Sequence, residues 1–262
     1  MGLVPCIAVS IGYILLILFL AEAARRLVAP LNPGLVKIGL HEAIASAELC
    51  GACFELIIIA DNYGLIAYAV VLFLLTIWWS DHWGDATACP YNHFEEWYKG
   101  ALTRQETIVR TVAEIIGGVG VFRLIQILWS LEIAETHVGR SHSAIYNVCT
   151  ADLTVPVLHG AIIEGVATMI CRLGSRLIAQ REPKYATAID SFVATAMVCA
   201  AFTTSGGYLN PVLATSLKFG CKGHTPMEHF VVYWIGASLG SIGSLLVWPH
   251  VEEALAVKEK AE

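Results

Sequence analysis

The sequence predicts an all-α membrane protein: six crossing helices and two shorter half-helices in inverted repeats, with an additional N-terminal apolar helix. Three observations carry this. Of 262 residues, 56% are hydrophobic and only 15% charged, with a mean hydropathy of +0.65; a soluble domain carries about 25% charged residues. Apolar runs at 6–23, 38–60, 64–80, 108–130, 157–180, 187–204 and 229–249 are each near the ~20 residues that a membrane crossing needs. The third observation is a repeat within the chain, described below. The net charge of −6 offers no basic footprint for nucleic acid. The eight cysteines are scattered, several of them inside apolar runs, and do not read as a disulfide framework. Cys50 and Cys53 form a CxxC within an apolar helix, where small packing cysteines are expected. No Asn-x-Ser/Thr acceptor occurs.

The first run has no positive n-region, although Ala21-Glu22-Ala23 resembles a cleavage site. Arg25 and Arg26 follow it and hold its C-terminal end in the cytoplasm. An uncleaved helix is the favoured reading and a signal peptide the alternative. Residues 1–30 are therefore set apart as an apolar helix with a basic flank, ahead of a first repeat over 36–135, a second over 155–250 and a polar cytoplasmic tail over 251–262. If 38–60 runs outward, then Lys37, Lys99, Arg104, Arg110, Arg172, Arg176, Arg181, Lys184, Lys258 and Lys260 join Arg25 and Arg26 inside. Only Arg140, Lys218 and Lys222 fall in opposite loops, which fixes the orientation. The tryptophans at 78, 79, 83, 97, 129, 234 and 248 cluster near span ends, as interfacial belt residues do.

The repeat pairs Glu42-Ala-Ile-Ala-Ser46 with Glu164-Gly-Val-Ala-Thr168. From Glu42, 47 residues lead to Cys89-Pro90; from Glu164, 46 residues lead to Asn210-Pro211. Three spans per repeat invert the second relative to the first, a pattern that places sites where broken helices meet near the midplane. Asn210 suits an N-cap and Pro211 the first helical position. Two half-helices entering from opposite faces aim their unpaired N–H groups and positive ends at the middle of a pore. Such a pore repels cations and holds neutral hydrogen-bonding solutes. Glu42 and Glu164, costly inside spans unless partnered, are expected to accept from loop N–H groups beside each half-helix. Interfacial carboxylates facing water are the alternative. His82, His93, His224 and His229 show no ligand spacing, so no metal and no cofactor is expected.

These residues resemble the aquaporin family over about 36–250. Gly206-Gly207-Tyr208-Leu209-Asn210-Pro211-Val212 resembles its second Asn-Pro-Ala loop, and Cys89-Pro90-Tyr91 stands where the first would be. Val232-Tyr233-Trp234-Ile235-Gly236 with Gly240 resembles the last helix. The altered first motif, Leu213, the run Cys221-Lys222-Gly223-His224-Thr225 and Glu22-Ala-Ala-Arg-Arg26 resemble the unorthodox, aquaporin-12-like branch.

The resemblance implies a passive channel for water or small neutral solutes such as glycerol, not an enzyme, embedded in membrane lipid as a homotetramer. It also implies a constriction formed by Ala69, Val198, Gly207 and Leu213, where Leu213 replaces the arginine of orthodox members. That ring is wide and apolar. Cys89 is a poor cap, and Tyr91 must turn into the packing or narrow the pore. A nonconducting scaffold of the same fold is the alternative function. Lys258 and Lys260, fifth and third from the end, resemble a dilysine retrieval signal. They point to the endoplasmic reticulum or another intracellular membrane, with the plasma membrane as alternative.

Overall fold

Apolar residues run unbroken from Ile14 to Leu20, and the computed structural model folds this run into α1, Cys6–Val28. The structure describes residues 6–138, 140 and 149–259, with the side chains of 256–259 left out. The side chain of Lys258 and the whole of Lys260 lie outside these described residues. One stripe of α1, including Tyr13, Ile14, Ile17, Leu18 and Ala21, is buried, at the three- and four-residue spacing that puts side chains on one helix face. The Tyr13 hydroxyl donates to the carbonyl of Leu128 at 2.8 Å. On the other face Leu15, Phe19 and Leu27 are exposed, an apolar surface suited to lipid.

The next helical stretch, Leu35–His82, is two helices joined at Gly64. Gly64 has φ 81° and ψ 174°, a conformation that glycine alone adopts readily. Residues 35–63 (α2) and 65–82 (α3) fold back on each other there. The indoles of Trp78 and Trp83 consequently reach Glu48, at 3.1 and 3.0 Å. The first half-helix is α4, Pro90–Tyr98. Then comes α5, Arg104–Ser130, opened by Thr103, whose side chain accepts from the Glu106 N–H.

The second repeat follows the same order. It consists of α6 (Val157–Arg181), α7 (Ala186–Ala201), the half-helix α8 (Pro211–Lys218) and α9 (Pro226–Leu255), which opens on a Thr225–Glu228 capping box. A Cβ on Gly240 would lie 1.9 Å from the Gly165 carbonyl oxygen, so α6 and α9 cross with their backbones in contact. Among the described residues, five helices are long and apolar enough to cross a membrane, with α2 and α3 counted as one and α7 somewhat shorter.

One expectation needs correction, and two are extended. Cys149 and Cys221 form a disulfide, although 72 residues separate them. The scattered pattern hid this bond because most of the remaining cysteines lie in apolar helices, while these two lie in loops. Over the polar C-terminal end helix continues past Leu255 to Glu259, as its Glu, Ala and Leu content favours. Trp78, Trp83 and Trp129 do more than line an interface, since each donates its indole N–H to a buried carboxylate.

Candidate pore and its two half-helices

Each half-helix begins at a proline that follows an extended residue. Cys89 (φ −146°) precedes Pro90, and Asn210 (φ −150°) precedes Pro211. Proline at the first helical position forfeits an N–H that would have no helical partner. The caps differ. The side-chain oxygen of Asn210 accepts from the N–H groups of Val212 and Leu213, at 2.9 and 3.2 Å. Cys89 makes no side-chain cap bond.

The two starts are tied to each other. The Asn210 amide donates to the carbonyl of Ala88 at 2.7 Å, the residue just before the first cap. In the opposite sense, the Tyr91 hydroxyl donates to the carbonyl of Leu209 at 2.9 Å, the residue just before the second cap. The phenol thus reaches the carbonyl that mirrors the target of Asn210, in a chain whose first cap residue has no amide. Tyr91 is buried and also lines the cavity.

Two buried glutamates hold the loops ahead of the half-helices. Glu42 accepts from the N–H groups of Thr87 and Ala88, at 3.0 and 3.1 Å. Glu164 accepts from Tyr208 and Leu209 N–H at 3.2 and 2.7 Å, and from the Ser205 hydroxyl at 2.6 Å. Ala88 and Leu209 both have positive φ, 51° and 50°, a strained conformation for a side-chain-bearing residue. The carboxylates supply the acceptors that such turned N–H groups need inside an apolar medium.

Four further buried carboxylates were not singled out from the sequence. Glu95 on the first half-helix takes Arg172 at 2.8 and 2.7 Å, Arg176 at 2.6 Å and the Ser241 hydroxyl, which anchors α4 to α6 and α9. Glu48 holds Arg25 at 2.5 Å, and Glu55 holds Trp129 at 2.6 Å. Glu114 lies 2.8 Å from His93, which is itself 3.4 Å from Glu42. His93 is therefore a buried partner of two glutamates, and ligand-type atoms of the three residues lie within 4.8 Å of one another. Arg110 sits 2.7 Å from the same Glu42 oxygen, and its charge opposes a metal cation there.

A cavity of about 1180 Å³ runs past both half-helix starts. Its lining extends from Ser80, Trp83 and Asp190 at one end, through Cys89, Tyr91 and Asn210, to Asp61, Asp152 and Lys218 at the other. Pro90, Pro211 and Val212 are buried behind it. Val198, Gly207 and Leu213 line it; from α3 the lining residues are Tyr68, Leu72, Thr76, Trp79 and Ser80, and the fourth expected constriction residue, Ala69, is not among them. Gly207 has φ 63°, and a Cβ there would lie 2.3 Å from the Val198 oxygen, so the loop passes α7 at backbone distance. At the end lined by Asp152 and Lys218, the Cys149–Cys221 disulfide is flanked by Ala151 N–H to Lys222 O (2.7 Å) and Lys222 N–H to Cys149 O (3.0 Å). His224, in the same region, is pushed below the ordinary imidazole range by burial.

No family model matches the chain. It is 31% identical over 240 residues to an aquaporin-11 of Milnesium tardigradum, covering 91% of this chain and 86% of that protein. It is 27% identical over 239 residues to a protein of Homo sapiens named putative aquaporin-12A, covering 91% and 79%. To the aquaporin-12 of Mus musculus it is 26% identical over 235 residues, covering 87% and 80%.

Proposed function

Because the chain belongs to the aquaporin family, a family of membrane channels rather than enzymes, and shares its all-α membrane fold, we propose that it is a passive channel for water and small neutral solutes such as glycerol. The observation that carries this is the cavity lined by the starts of both half-helices. Two helix N-termini meeting at its waist place about half a positive charge each beside the path, which opposes cations and protons and tolerates neutral solutes. In this reading 36–135 and 155–250 are the two repeats, and Glu42 and Glu164 are structural carboxylates. Tyr68 joins Val198, Gly207 and Leu213 at the constriction. The disulfide belongs in an oxidising compartment, which suits either an endoplasmic reticulum lumen or the cell exterior. We place the chain in an intracellular membrane on the dilysine pattern of Lys258 and Lys260, and as a homotetramer by its family.

Purified protein in proteoliposomes tests the reading. Vesicles with folded protein should swell and shrink faster than empty ones in water and glycerol gradients, and equal rates overturn it. A nonconducting scaffold is the second reading, favoured by the absence of a cap bond at Cys89 and of a guanidinium at position 213. It expects Asn210→Asp to leave every permeability unchanged.

A further inference from the structure

Any pore wide enough for a polar solute must also refuse hydrated cations. The half-helix starts raise a barrier at the waist, but α8 runs outward from there. Its C-terminal end, the negative pole of the helix, therefore stands near the outer mouth. Asp152 adds a full negative charge on the same wall. Leu213, five residues further in, adds no charge.

The fixed cations lining the cavity among the described residues are Lys218 and Arg140. Lys218 is the last residue of α8. Its ammonium lies 2.8 Å from Asp152 Oδ1 and donates to the Thr150 carbonyl at 3.1 Å. The other oxygen of Asp152 accepts from the Tyr208 phenol. Tyr208 in turn packs edge-on against Tyr233, with ring centroids 5.4 Å apart. The backbone carrying Asp152 is clamped to residues 221 and 222 by the disulfide and the two backbone bonds beside it. The ammonium is thus seated by groups that are themselves fixed. Arg140 is held by a different set of groups: its Nε donates to the Thr136 carbonyl at 2.8 Å, and its guanidinium lies 3.4 Å from the exposed Asp61 and 6.0 Å above the Trp129 ring.

We propose that Lys218, seated by Asp152 and Tyr208, is the cation filter of the outer pore mouth, an assignment that rests on the channel reading above. With the ammonium present, the charge of Asp152 is balanced, and a neutral solute meets hydrogen-bonding groups from three side chains. Without it, Asp152 and the α8 terminus leave the mouth negative, and cations concentrate there.

The test uses proteoliposomes of the whole protein with potassium and chloride leak as readouts, alongside water and glycerol swelling. Lys218→Met should raise potassium leak about tenfold or more, the scale on which a charged cleft concentrates counter-ions. Lys218→Arg should stay as tight as the unmodified protein. Asp152→Asn should leave potassium leak low and raise chloride leak, because the ammonium then stands unopposed. A folded, potassium-tight Lys218→Met variant overturns the proposal, as does a leak that appears in Arg140→Met instead. If Lys218→Met does not fold, Asp152→Asn decides, and unchanged chloride leak overturns the proposal. Absence of swelling in the folded unmodified protein counts against the channel reading. Swelling with an ion-tight Lys218→Met counts against the filter alone.

Discussion

A carbonyl buried without a donor costs about 1–3 kcal/mol, and the Leu209 carbonyl receives the Tyr91 hydroxyl as its side-chain donor. Tyr91→Phe keeps the ring and removes only that donor. It should therefore destabilise the folded protein by about 1–3 kcal/mol, read as a lower unfolding midpoint in detergent. An unchanged midpoint would show that this bond adds nothing to the tie that Asn210 makes between the two half-helix starts. At this scale the sequence was partly legible. Proline beside a cap residue is a local cue, so both half-helix starts could be located without a structure. Glu48 and Glu55 passed unnoticed because their partners arrive from far along the chain: Arg25, Trp78 and Trp83 for one, Trp129 and His137 for the other. One clue was available, since 48 and 55 are seven residues apart and share a helix face.

At the scale of the element, α1 is joined to the body of the protein by more than apolar contact. Glu48 is fully buried and accepts from Arg25 and two indoles. Removing one partner of a buried ion pair leaves an uncompensated charge and costs about 3–5 kcal/mol. Arg25→Ala should accordingly lower the unfolding midpoint sharply, while Arg26→Ala, whose side chain is largely exposed, should not. Equal effects would mean that α1 is held by its apolar stripe alone. Spans were readable because twenty apolar residues have few other fates. The apolar run 229–249 is shorter than the last helix, which continues to Glu259, because polarity separates lipid from water, not helix from coil. The fold-back at Gly64 was legible only as a gap between runs, since nothing local distinguishes a hairpin from a kink.

The whole molecule is closed by bonds between its two halves: Asn210 to Ala88, Tyr91 to Leu209, and the Arg172 and Arg176 pair on Glu95. Fold class was legible at this scale because composition and a repeated spacing are global properties that survive local ambiguity. The outer disulfide was not, because its two cysteines become neighbours only after the second half-helix has folded back. Cys221→Ser should cost about 2–5 kcal/mol, the usual range for a native disulfide closing a long loop, and should loosen the wall that carries Asp152. A variant with unchanged thermal stability would contradict this.

The same bond also has a history within each molecule. Cys149 leaves the ribosome 72 residues ahead of its partner, so its thiol waits unpaired with Cys221 while α6, α7 and α8 are still being made. The bond can close only once residue 221 has been delivered. An oxidised pair is therefore a certificate that synthesis has passed the second half-helix, and a chain that stops before residue 221 can never carry it.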